Sequence, residues 1–436
     1  MFRVWRLFLM VAGVLATLSP AAPARAQDPA GAGRTAAVAA IALARAGDWG
    51  QAYARAGESK DPLALKLVRW LDYTRFNTGG RFAEVSGFIE ENPDWPWQKK
   101  LLRRAEEAMA GEGDDLAARW FKRHPAVSAV GKARAAELLF KHDAPAGTAA
   151  LRAVWIDGDF TPSDERNFLG RFGAMMRPED NVKRLDRLLW SGQSEAPRRM
   201  LPLVAADYRA VAEARQAFAG HAANAEAMLA RVPAALRSDP GLAFAQVRWL
   251  DKKDMVDAAA QLLLAHADNP GRPSAWWGER QLIARRLLAT GNNELAYRIV
   301  QHQGPEAGGD YSEGEFLSGY IALRYMKKPV LAFDHFAHIL ARVRTPYAKA
   351  RAAYWGGRAA DAAGKPTLAA KWYAAGADHM ATFYGQLAAH QLGHDAPPRP
   401  MPEPRPDAAE VTRFNTRDLV RAAQLLFAAS DGDHAR

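Results

Sequence analysis

Helix-forming signals dominate this sequence almost without competition from about residue 35 to residue 393. Alanine, leucine and arginine are abundant over this stretch, and no convincing run shows the period-two alternation of β-branched residues that is typical of a strand. Proline and glycine turns interrupt the pattern at short intervals, which indicates short helices joined into hairpins. The proline breaks are Asp61-Pro62, Asn92-Pro93, His124-Pro125, Asp239-Pro240, Asn269-Pro270 and Thr345-Pro346. The sequence therefore predicts an all-α fold.

A degenerate repeat predicts how the hairpins are arranged. At four turns a glycine precedes an alanine by five residues, and the glycines lie 66, 178 and 73 residues apart. These intervals are close to two, five and two units of about 34 to 36 residues, the period of helix-turn-helix repeats. We expect each glycine to end a helix in the left-handed conformation and each alanine to let the next helix approach closely. The pairs are Gly47/Ala52, Gly113/Ala118, Gly291/Ala296 and Gly364/Ala369. In a chain of 436 residues this favours a TPR-like solenoid over a globular bundle.

The segment from Ala396 to Pro406 reads APPRPMPEPRP, and its prolines predict a stiff, extended connection. Beyond it we expect Asn415 to cap an amphipathic helix from Thr416 to Ala429. The predicted apolar residues of this helix are Leu419, Val420, Leu426 and Phe427. A helix of about 14 residues is marginal in water, so we expect it to fray unless the preceding helices dock it.

The first 26 residues have the pattern of a secretory signal peptide. Arg3 and Arg6 precede an uncharged apolar run from Leu7 to Leu18, and Ala24-Arg25-Ala26 forms a cleavage site of small residues. The run is shorter than the roughly 20 residues that span a bilayer, so we expect cleavage after Ala26 and no stable membrane anchor. The sequence has no cysteine, which excludes disulfide bonds and a lipoprotein anchor. Together these features predict a periplasmic protein.

The net charge is +10, and it becomes +7 when the predicted signal peptide is removed. A basic balance favours anionic partners. We expect no nucleic acid partner, because the chain is predicted to be exported and shows no recognition motif or lysine-rich block. Peptidoglycan, whose stem peptides carry free carboxylates, is the better candidate. For most individual residues, a charge that merely solvates a helix surface is an equally good interpretation.

Three stretches of the sequence carry a family resemblance. They are NPDWPWQKKLLRRAEEAM (Asn92 to Met109), DGDF…FLGRFG…RLDRLLW (Asp157 to Trp190) and YWGGRAADAAGKPTLAAKWYAAGADHMATFYGQLAAHQLG (Tyr354 to Gly393). Together they resemble the soluble lytic murein transglycosylases, particularly the alphaproteobacterial ones. The similarity extends over nearly the whole chain after the predicted signal peptide.

The resemblance implies a right-handed, U-shaped superhelix of short helices, a small helical linker domain that closes it into a ring, and a catalytic domain that sits on the ring. We therefore expect a signal peptide at 1–26, the α-superhelical domain at 27–395, a Pro-rich connection at 396–407 and the truncated start of the linker domain at 408–436. Large rings in the third stretch are predicted to fill gaps between hairpins rather than to stack on sugars. They are Tyr354, Trp355, Trp372, Tyr373, Phe383 and Tyr384.

The resemblance also implies a reaction, the cleavage of the bond between N-acetylmuramic acid and N-acetylglucosamine with closure of a 1,6-anhydro ring. One glutamate acts as acid and then as base, which needs a raised pKa in a shielded cleft. In the family this glutamate begins a Glu-Ser pair that is followed by a motif of the Gly-Leu-Met-Gln type. Neither feature occurs after Gly393, where the only glutamates are Glu403 and Glu410.

Other acidic residues are no better as candidates. The sole Glu-Ser pair, Glu58-Ser59, lies in an early polar turn and is predicted to be at the surface. The adjacent Glu106 and Glu107 point in different directions from a helix and do not converge on one bond. We therefore assign no catalytic residue and predict that this chain, with the catalytic domain missing, is inactive alone.

The sequence predicts no metal or cofactor site. His335 and His338 lie three residues apart on a predicted helix, but we find no third ligand and no HExxH motif. No GxSxG, P-loop or dinucleotide fingerprint occurs. Two functions stay open: the superhelical part of a periplasmic lytic transglycosylase acting on peptidoglycan, or a non-catalytic periplasmic scaffold that binds cell-wall proteins or peptidoglycan. No residue is assigned to substrate binding.

Overall fold

A computed structural model describes residues 29–268, 270–301, 308–394, 403 and 405–435. These residues form helices, turns and loops without a strand, which confirms the predicted all-α fold. The predicted signal peptide and most of the Pro-rich connection lie outside the described residues. Among the helices of this part of the chain, none combines the length and the apolar composition that crossing a bilayer requires.

The chain divides into two compact units, residues 1–111 with 405–436 and residues 112–404. The described helices of the first unit are α1 (Pro29–Arg45), α2 (Trp49–Glu58), α3 (Pro62–Thr74), α4 (Phe82–Glu91), α5 (Gln98–Ala108), α23 (Ala408–Asn415), α24 (Asp418–Ala428) and α25 (Gly432–Ala435). This division follows packing, whereas the domains expected at 27–395 and 408–436 follow the order of the chain and remain predictions.

The second unit contains the remaining described α-helices and three short 3₁₀ helices. The α-helices are α6 (Asp114–Arg123), α7 (Ala129–His142), α8 (Ala144–Asp157), α9 (Pro162–Phe172), α10 (Pro178–Trp190), α11 (Glu195–Met200), α12 (Ala206–Ala219), α13 (Ala225–Ala230), α14 (Pro240–Lys252), α15 (Val256–Ala265), α16 (Pro273–Ala289), α17 (Asn293–Val300), α18 (Gly309–Arg324), α19 (Pro329–Arg342), α20 (Pro346–Ala362), α21 (Pro366–Ala377) and α22 (Phe383–Gln391). Consecutive helices pack against each other through much of this unit, including α7 with α8 and each step from α18 to α22.

The proline breaks predict helix boundaries correctly. Pro62, Pro240 and Pro346 are the first residues of α3, α14 and α20, a position that tolerates proline because its N–H would lack an intrahelical partner. The preceding Asp61 and Asp239 accept backbone N–H groups of the first turn at 3.0 and 2.7 Å. The break at Asn269 falls on a residue outside the described part.

The glycine–alanine repeat is confirmed at three of its four positions. Gly47, Gly291 and Gly364 have φ values of 83°, 82° and 70°, and their partners Ala52, Ala296 and Ala369 are buried. The expectation is wrong at the remaining pair. Gly113 has φ −66° and precedes α6 as its N-cap, while Ala118 is exposed. The left-handed glycine of that turn is Gly111, with φ 96°, and the buried alanine is Ala117.

The core of the second unit is a series of clusters that share helices. The first cluster lies on α7 to α12 and contains Trp155, and the second lies on α12 to α14 and contains Phe218. A larger cluster follows on α14 to α20 around Trp276, and the last, on α20 to α22, contains Tyr373. Each cluster ends on a helix that begins the next, so α12, α14 and α20 each contribute to two cores. This arrangement is that of a solenoid.

The aromatic residues of the third family stretch mostly pack, as predicted. Tyr354 and Tyr373 are buried, and Trp355, Trp372 and Tyr384 are half-buried against the cores. A Cβ atom at Gly356 or Gly357 would lie 2.1 Å from Trp372 or 2.5 Å from Tyr373, so the glycine pair makes room for these rings. Phe383 is the exception. Its side chain is 64% exposed, because α22 turns it away from the core.

Helix α24 corrects the prediction for the end of the chain. Asn415 is the last residue of α23 instead of a cap, and α24 begins at Asp418. The buried residues of α24 are Ala422, Leu425 and Leu426, whereas Leu419 and Phe427 are exposed. The predicted apolar face was right for Leu426 and wrong for Leu419 and Phe427, because the partner helices, α1 and α3, are far away in the sequence. They supply the packing surface whose absence led us to expect fraying.

We predict that Leu426→Ala weakens the docking of α24. The Leu426 side chain is only 2% exposed, and truncating such a residue typically costs about 2 to 5 kcal/mol. Amide hydrogen exchange of α24 should therefore accelerate strongly, while exchange in α20 stays unchanged. The control is Phe427→Ala, since Phe427 is 58% exposed and surface changes usually alter stability by less than about 0.5 kcal/mol. Equal protection of α24 in both variants would contradict the docked arrangement.

Asp180 joins two helices of the second unit through a bidentate ion pair. Its carboxylate accepts Arg152 Nε at 2.6 Å and Arg152 Nη2 at 2.8 Å, and it also accepts the backbone N–H of Arg177 at 2.9 Å. The hydrogen-bonded Arg152 guanidinium holds the pKa of the Asp180 carboxyl below its usual range, although burial opposes this shift. The pair connects α8 to α10.

We predict that Asp180→Asn removes part of the acid sensitivity of the second unit. A carboxyl whose folded-state pKa is lowered contributes stability above its unfolded pKa of about 3.9, and this contribution is lost as the pH falls through the folded-state pKa. The variant should have a lower melting temperature than the wild type at pH 7, and the difference should shrink below about pH 4. Glu179→Gln, at an exposed neighbouring position, is the control and should leave the pH profile unchanged. A constant difference across this pH range would contradict the assignment.

Candidate functional site

A cleft of about 810 Å³ lies in the first unit, where α24 meets the turn between α2 and α3. Its charged side chains are Arg34, Lys60, Asp61 and Arg421, which together define what we call the basic cleft. Three cations thus accompany one carboxylate. The cleft also has an apolar floor that includes Leu425. Its charge and size suit an anionic ligand.

Local backbone geometry positions these side chains. Helix α1 passes so close to the turn after α2 that a Cβ atom at Gly33 would lie 2.8 Å from the carbonyl oxygen of Ser59. The Ser59 hydroxyl donates to the carbonyl of Ala56 at 2.7 Å and accepts the N–H of Asp61 at 3.2 Å. Lys60, between them, has φ 55°, an uncommon conformation for a residue with a side chain. The turn therefore presents Lys60 in a defined direction.

Asp61 balances only part of the positive charge. Its Oδ1 atom caps α3 by accepting the N–H of Leu63, and its Oδ2 atom accepts Arg421 Nη2 at 2.7 Å. Arg34 and Lys60 are exposed, and neither forms an ion pair with another described residue. These two cations can attract a carboxylate or a similar anion. Because they are exposed, such binding must weaken as salt screens it.

The prediction that the Glu-Ser pair lies at the surface is confirmed for the glutamate and wrong for the serine. Glu58 ends α2, is exposed and accepts Arg55 Nη1 at 2.5 Å. Its neighbour Ser59 is buried, with its hydroxyl engaged in the turn below the basic cleft. Glu58 is exposed to solvent, whereas a catalytic acid needs a shielded cleft. The structural role of this pair is to end one helix and start the next.

The other acidic residues of the sequence analysis also have structural positions. Glu106 is buried whereas Glu107 is at the surface beside Arg104, which confirms that they point in different directions. Glu410 accepts the backbone N–H of Asp407 at 3.0 Å and so belongs to the capping box of α23. Glu403 is exposed.

Two carboxyls that the sequence did not single out have raised pKa values. Burial raises the pKa of Asp239, which caps α14 and lies 3.5 Å from Arg215 Nη1. Burial also raises the pKa of Glu279, whose carboxylate is 3.4 Å from Arg248 Nε. Carboxyl groups with shifted pKa values occur at active sites and also in structural ion pairs. Each of these faces an arginine, which is typical of a structural pair.

An aromatic cluster of the first unit is built for packing. Trp70 and Trp97 stack with ring centroids 4.8 Å apart, and the Lys100 ammonium lies 3.6 Å from the Trp97 centroid. Trp70 also donates its indole N–H to the carbonyl of Pro96 at 3.0 Å. His434 of α25 contacts both indoles, at 6.0 and 5.1 Å. Since rings and a cation already cover these indoles, they are poor platforms for a sugar.

His335 and His338 do have a third potential ligand, so the prediction that they lack one is wrong. Glu315 of α18 reaches both histidines of α19, with its Oε2 atom 2.9 Å from His335 Nδ1 and 3.1 Å from His338 Nδ1. On the other side of the ring, His335 Nε2 is 2.9 Å from the hydroxyl of Tyr297 on α17. Glu315 precedes His335 by 20 residues on a different helix, a spacing that no local motif reveals.

Comparison with solved structures relates this fold to known proteins. The soluble lytic transglycosylase Slt from Pseudomonas aeruginosa, solved as an inactive variant, matches with a TM-score of 0.58 and 17% identity, covering 91% of this chain and 64% of that one. The 70-kDa soluble lytic transglycosylase from Escherichia coli matches with a TM-score of 0.52 and 14% identity. That match covers 92% of this chain and 64% of the other. A complex of a 70-kDa soluble lytic transglycosylase with bulgecin A has a TM-score of 0.51 at 14% identity.

No family model and no curated protein sequence matches the chain. The chain spans just under two thirds of the length of the solved relatives. At identities this low, the structural match shows a shared fold and no more. The resemblance to soluble lytic transglycosylases that the sequence suggested is confirmed for the fold. The similarity covers nearly the whole of the present chain.

Proposed function

We propose that this chain is the superhelical part of a periplasmic soluble lytic transglycosylase and that it binds and positions peptidoglycan. The observation that carries the proposal is the shared fold, which covers 91% of the chain and is found in proteins named for lytic transglycosylation. The signal-peptide pattern at residues 1–26 supports a periplasmic location, which cell fractionation tests. In the proposed division of labour this superhelical part holds the polymer, and the catalytic part of such an enzyme cleaves it.

The basic cleft supports peptidoglycan as the partner. Stem peptides of peptidoglycan carry free carboxylates, and Arg34 and Lys60 present two cations to solvent at the edge of a cleft. Carboxylates are the anions that a guanidinium recognises best through paired hydrogen bonds. The ammonium of Lys60 adds a point charge beside it. We therefore assign the recognition of stem-peptide carboxylates to this cleft.

A second candidate function is a non-catalytic scaffold that binds peptidoglycan or other periplasmic cell-wall proteins. It is favoured by the structural positions of the candidate acids: Glu58 pairs with Arg55, and Glu410 caps a helix. Solenoids commonly serve as extended binding surfaces without chemistry of their own. The two functions agree on binding and differ in whether a catalytic part acts on the bound polymer.

We predict that the purified chain binds murein sacculi and does not cleave them. Cleavage with anhydro-ring closure needs an acid that gives up and regains a proton, and positioning alone does not replace that transfer. Sacculi are incubated with the protein, pelleted, and assayed for bound protein and for released anhydromuropeptides by mass spectrometry. A soluble lytic transglycosylase is the positive control for release. Anhydromuropeptides above the blank would overturn the prediction of inactivity, and absence of pelleted protein would overturn the proposed partner.

We predict that the double variant Arg34→Ala/Lys60→Ala binds sacculi at least about tenfold more weakly than the wild type and with less dependence on salt. The reason is the loss of the two exposed cations of the basic cleft, whose attraction for carboxylates is screened by ions. Arg119→Ala/Lys122→Ala removes two exposed cations from α6 and is the matched control. If the control loses as much affinity as the cleft variant, binding depends on net charge and the assignment of the cleft is wrong.

A further inference from the structure

We propose that Glu315, His335 and His338 form a binding site for a divalent transition-metal ion such as Zn²⁺. The three side chains converge from two helices of the second unit, and one potential donor atom from each lies within 4.8 Å of the others. Two imidazole nitrogens with one carboxylate oxygen is a ligand set that Zn²⁺ accepts, and a water molecule commonly completes it. The proposed function does not use this site.

The separations of the donor atoms fit a small ion. The two Nδ1 atoms lie 2.9 and 3.1 Å from the same oxygen of Glu315. In a tetrahedral site with bonds of about 2.0 Å, neighbouring ligand atoms are about 3.3 Å apart. The two distances to Glu315 need shifts of only a few tenths of an ångström. The two imidazole nitrogens, which lie within 4.8 Å of each other, must approach by up to about 1.5 Å. The two histidines, three residues apart, lie on one face of α19, so a single helical turn presents both rings.

Tyr297 supplies the outer contact that metal-binding histidines need. Its hydroxyl lies 2.9 Å from His335 Nε2, the ring nitrogen that faces away from Glu315. A hydroxyl can donate to an unprotonated Nε2 or accept from a protonated one. The same contact thus serves the ring when its Nδ1 atom carries a proton and when that atom binds a metal ion.

Burial makes the site rigid on one side and open on the other. The side chains of Glu315 and His335 are only 9% and 11% exposed, while that of His338 is 58% exposed. The buried pair is held between α18 and α19, and the exposed imidazole of His338 leaves the cluster accessible from solvent. Arg342, one turn further along α19, donates to the Tyr311 hydroxyl at 2.8 Å and lies over the Tyr311 ring. The positive charge of Arg342 is therefore held against Tyr311.

A hydrogen-bonded clamp without a metal ion is the competing interpretation. Glu315 can hold both imidazoles by hydrogen bonds alone and so join α18 to α19. Under that interpretation, removing one ligand destabilises the protein equally with and without metal ions. Under ours, the ion binds with one equivalent per chain and raises the melting temperature of the wild type more than that of the ligand variants. The two interpretations differ in measurable ways.

The test uses the full chain without a histidine tag, stripped with EDTA and titrated with ZnCl₂ by calorimetry. We expect one equivalent to bind, and His338→Ala and Glu315→Gln to lose at least about tenfold in affinity. His338 is exposed, so its variant should fold normally, and circular dichroism in EDTA checks this. Titration with Co²⁺ should give the visible absorption of a tetrahedral N/O complex, and His338→Ala should abolish it.

His142→Ala is the matched control, because His142 is an exposed histidine at the end of another helix of the same unit. It should bind Zn²⁺ like the wild type. Affinity that is unchanged in His338→Ala, a stoichiometry well below one, or melting temperatures that respond to the variants but not to Zn²⁺ would each overturn the proposal. Binding to sacculi is measured separately, so failure of the metal site leaves the proposed function to its own test.

Discussion

Arginine side chains that bind the carbonyl ends of neighbouring helices are the interaction on which this fold depends. A solenoid of short helices has many ends, and the last four carbonyls of each lack an intrahelical partner. Arg184 donates to the carbonyls of Trp155 and Gly158 at 2.7 and 2.8 Å, at the end of α8. Arg280 donates to the carbonyls of Leu263 and Ile299, near the ends of α15 and α17. One planar guanidinium group thus donates to two carbonyl oxygens that have no intrahelical partner. The ammonium group of lysine does this less well.

The same device occurs in the first unit and at the surface. Arg45 of α1 donates to the carbonyls of Ala429 and Ser430, where α24 ends, at 3.0 Å each. Arg286 reaches the carbonyl of Asp251 at the end of α14. The positive charge of these side chains also suits the negative end of a helix dipole. Helix ends that would otherwise need water are therefore tied to the next hairpin.

This use of arginine changes the meaning of the net charge. Arg184 and Arg280 are almost fully buried, and burial lowers the pKa of Arg280 to about 10, so it still carries its charge at neutral pH. The charge of Arg184 is balanced by the buried Glu165, whereas Arg280 donates to carbonyls. The charge of Arg280 is therefore a part of the excess of +10 that lies inside the protein and cannot meet an external anion. The basic cleft is a place where cations are exposed and converge, and it is therefore a better guide to a partner than the total charge.

The sequence predicts what depends on local chemistry. Pro62 and Gly47 act through their own backbone conformations, so the start of α3 and the end of α1 follow from the residue type. Glu315 joins His335 across two helices, and no periodicity in the sequence indicates that contact. The face of α24 was missed for the same reason, because α1 and α3 determine which of its residues are buried. Local signals fix the elements, and long-range contacts decide the sites.

The basic cleft exists only when distant parts of the chain meet. Lys66 pairs with Asp418 across 352 residues and Asp61 with Arg421 across 360, yet loop-closure entropy grows only with the logarithm of length. Such exposed pairs stabilise by about 1 kcal/mol or less each, so the buried Leu425 and Leu426 must supply most of the docking energy. A ligand that contacts Lys60 together with Gln424 or Leu425 of α24 binds the docked state alone. By mass action it stabilises that state, by about 2.7 kcal/mol at a concentration of 100 times its Kd, and so couples the occupancy of the cleft to the closure of the first unit.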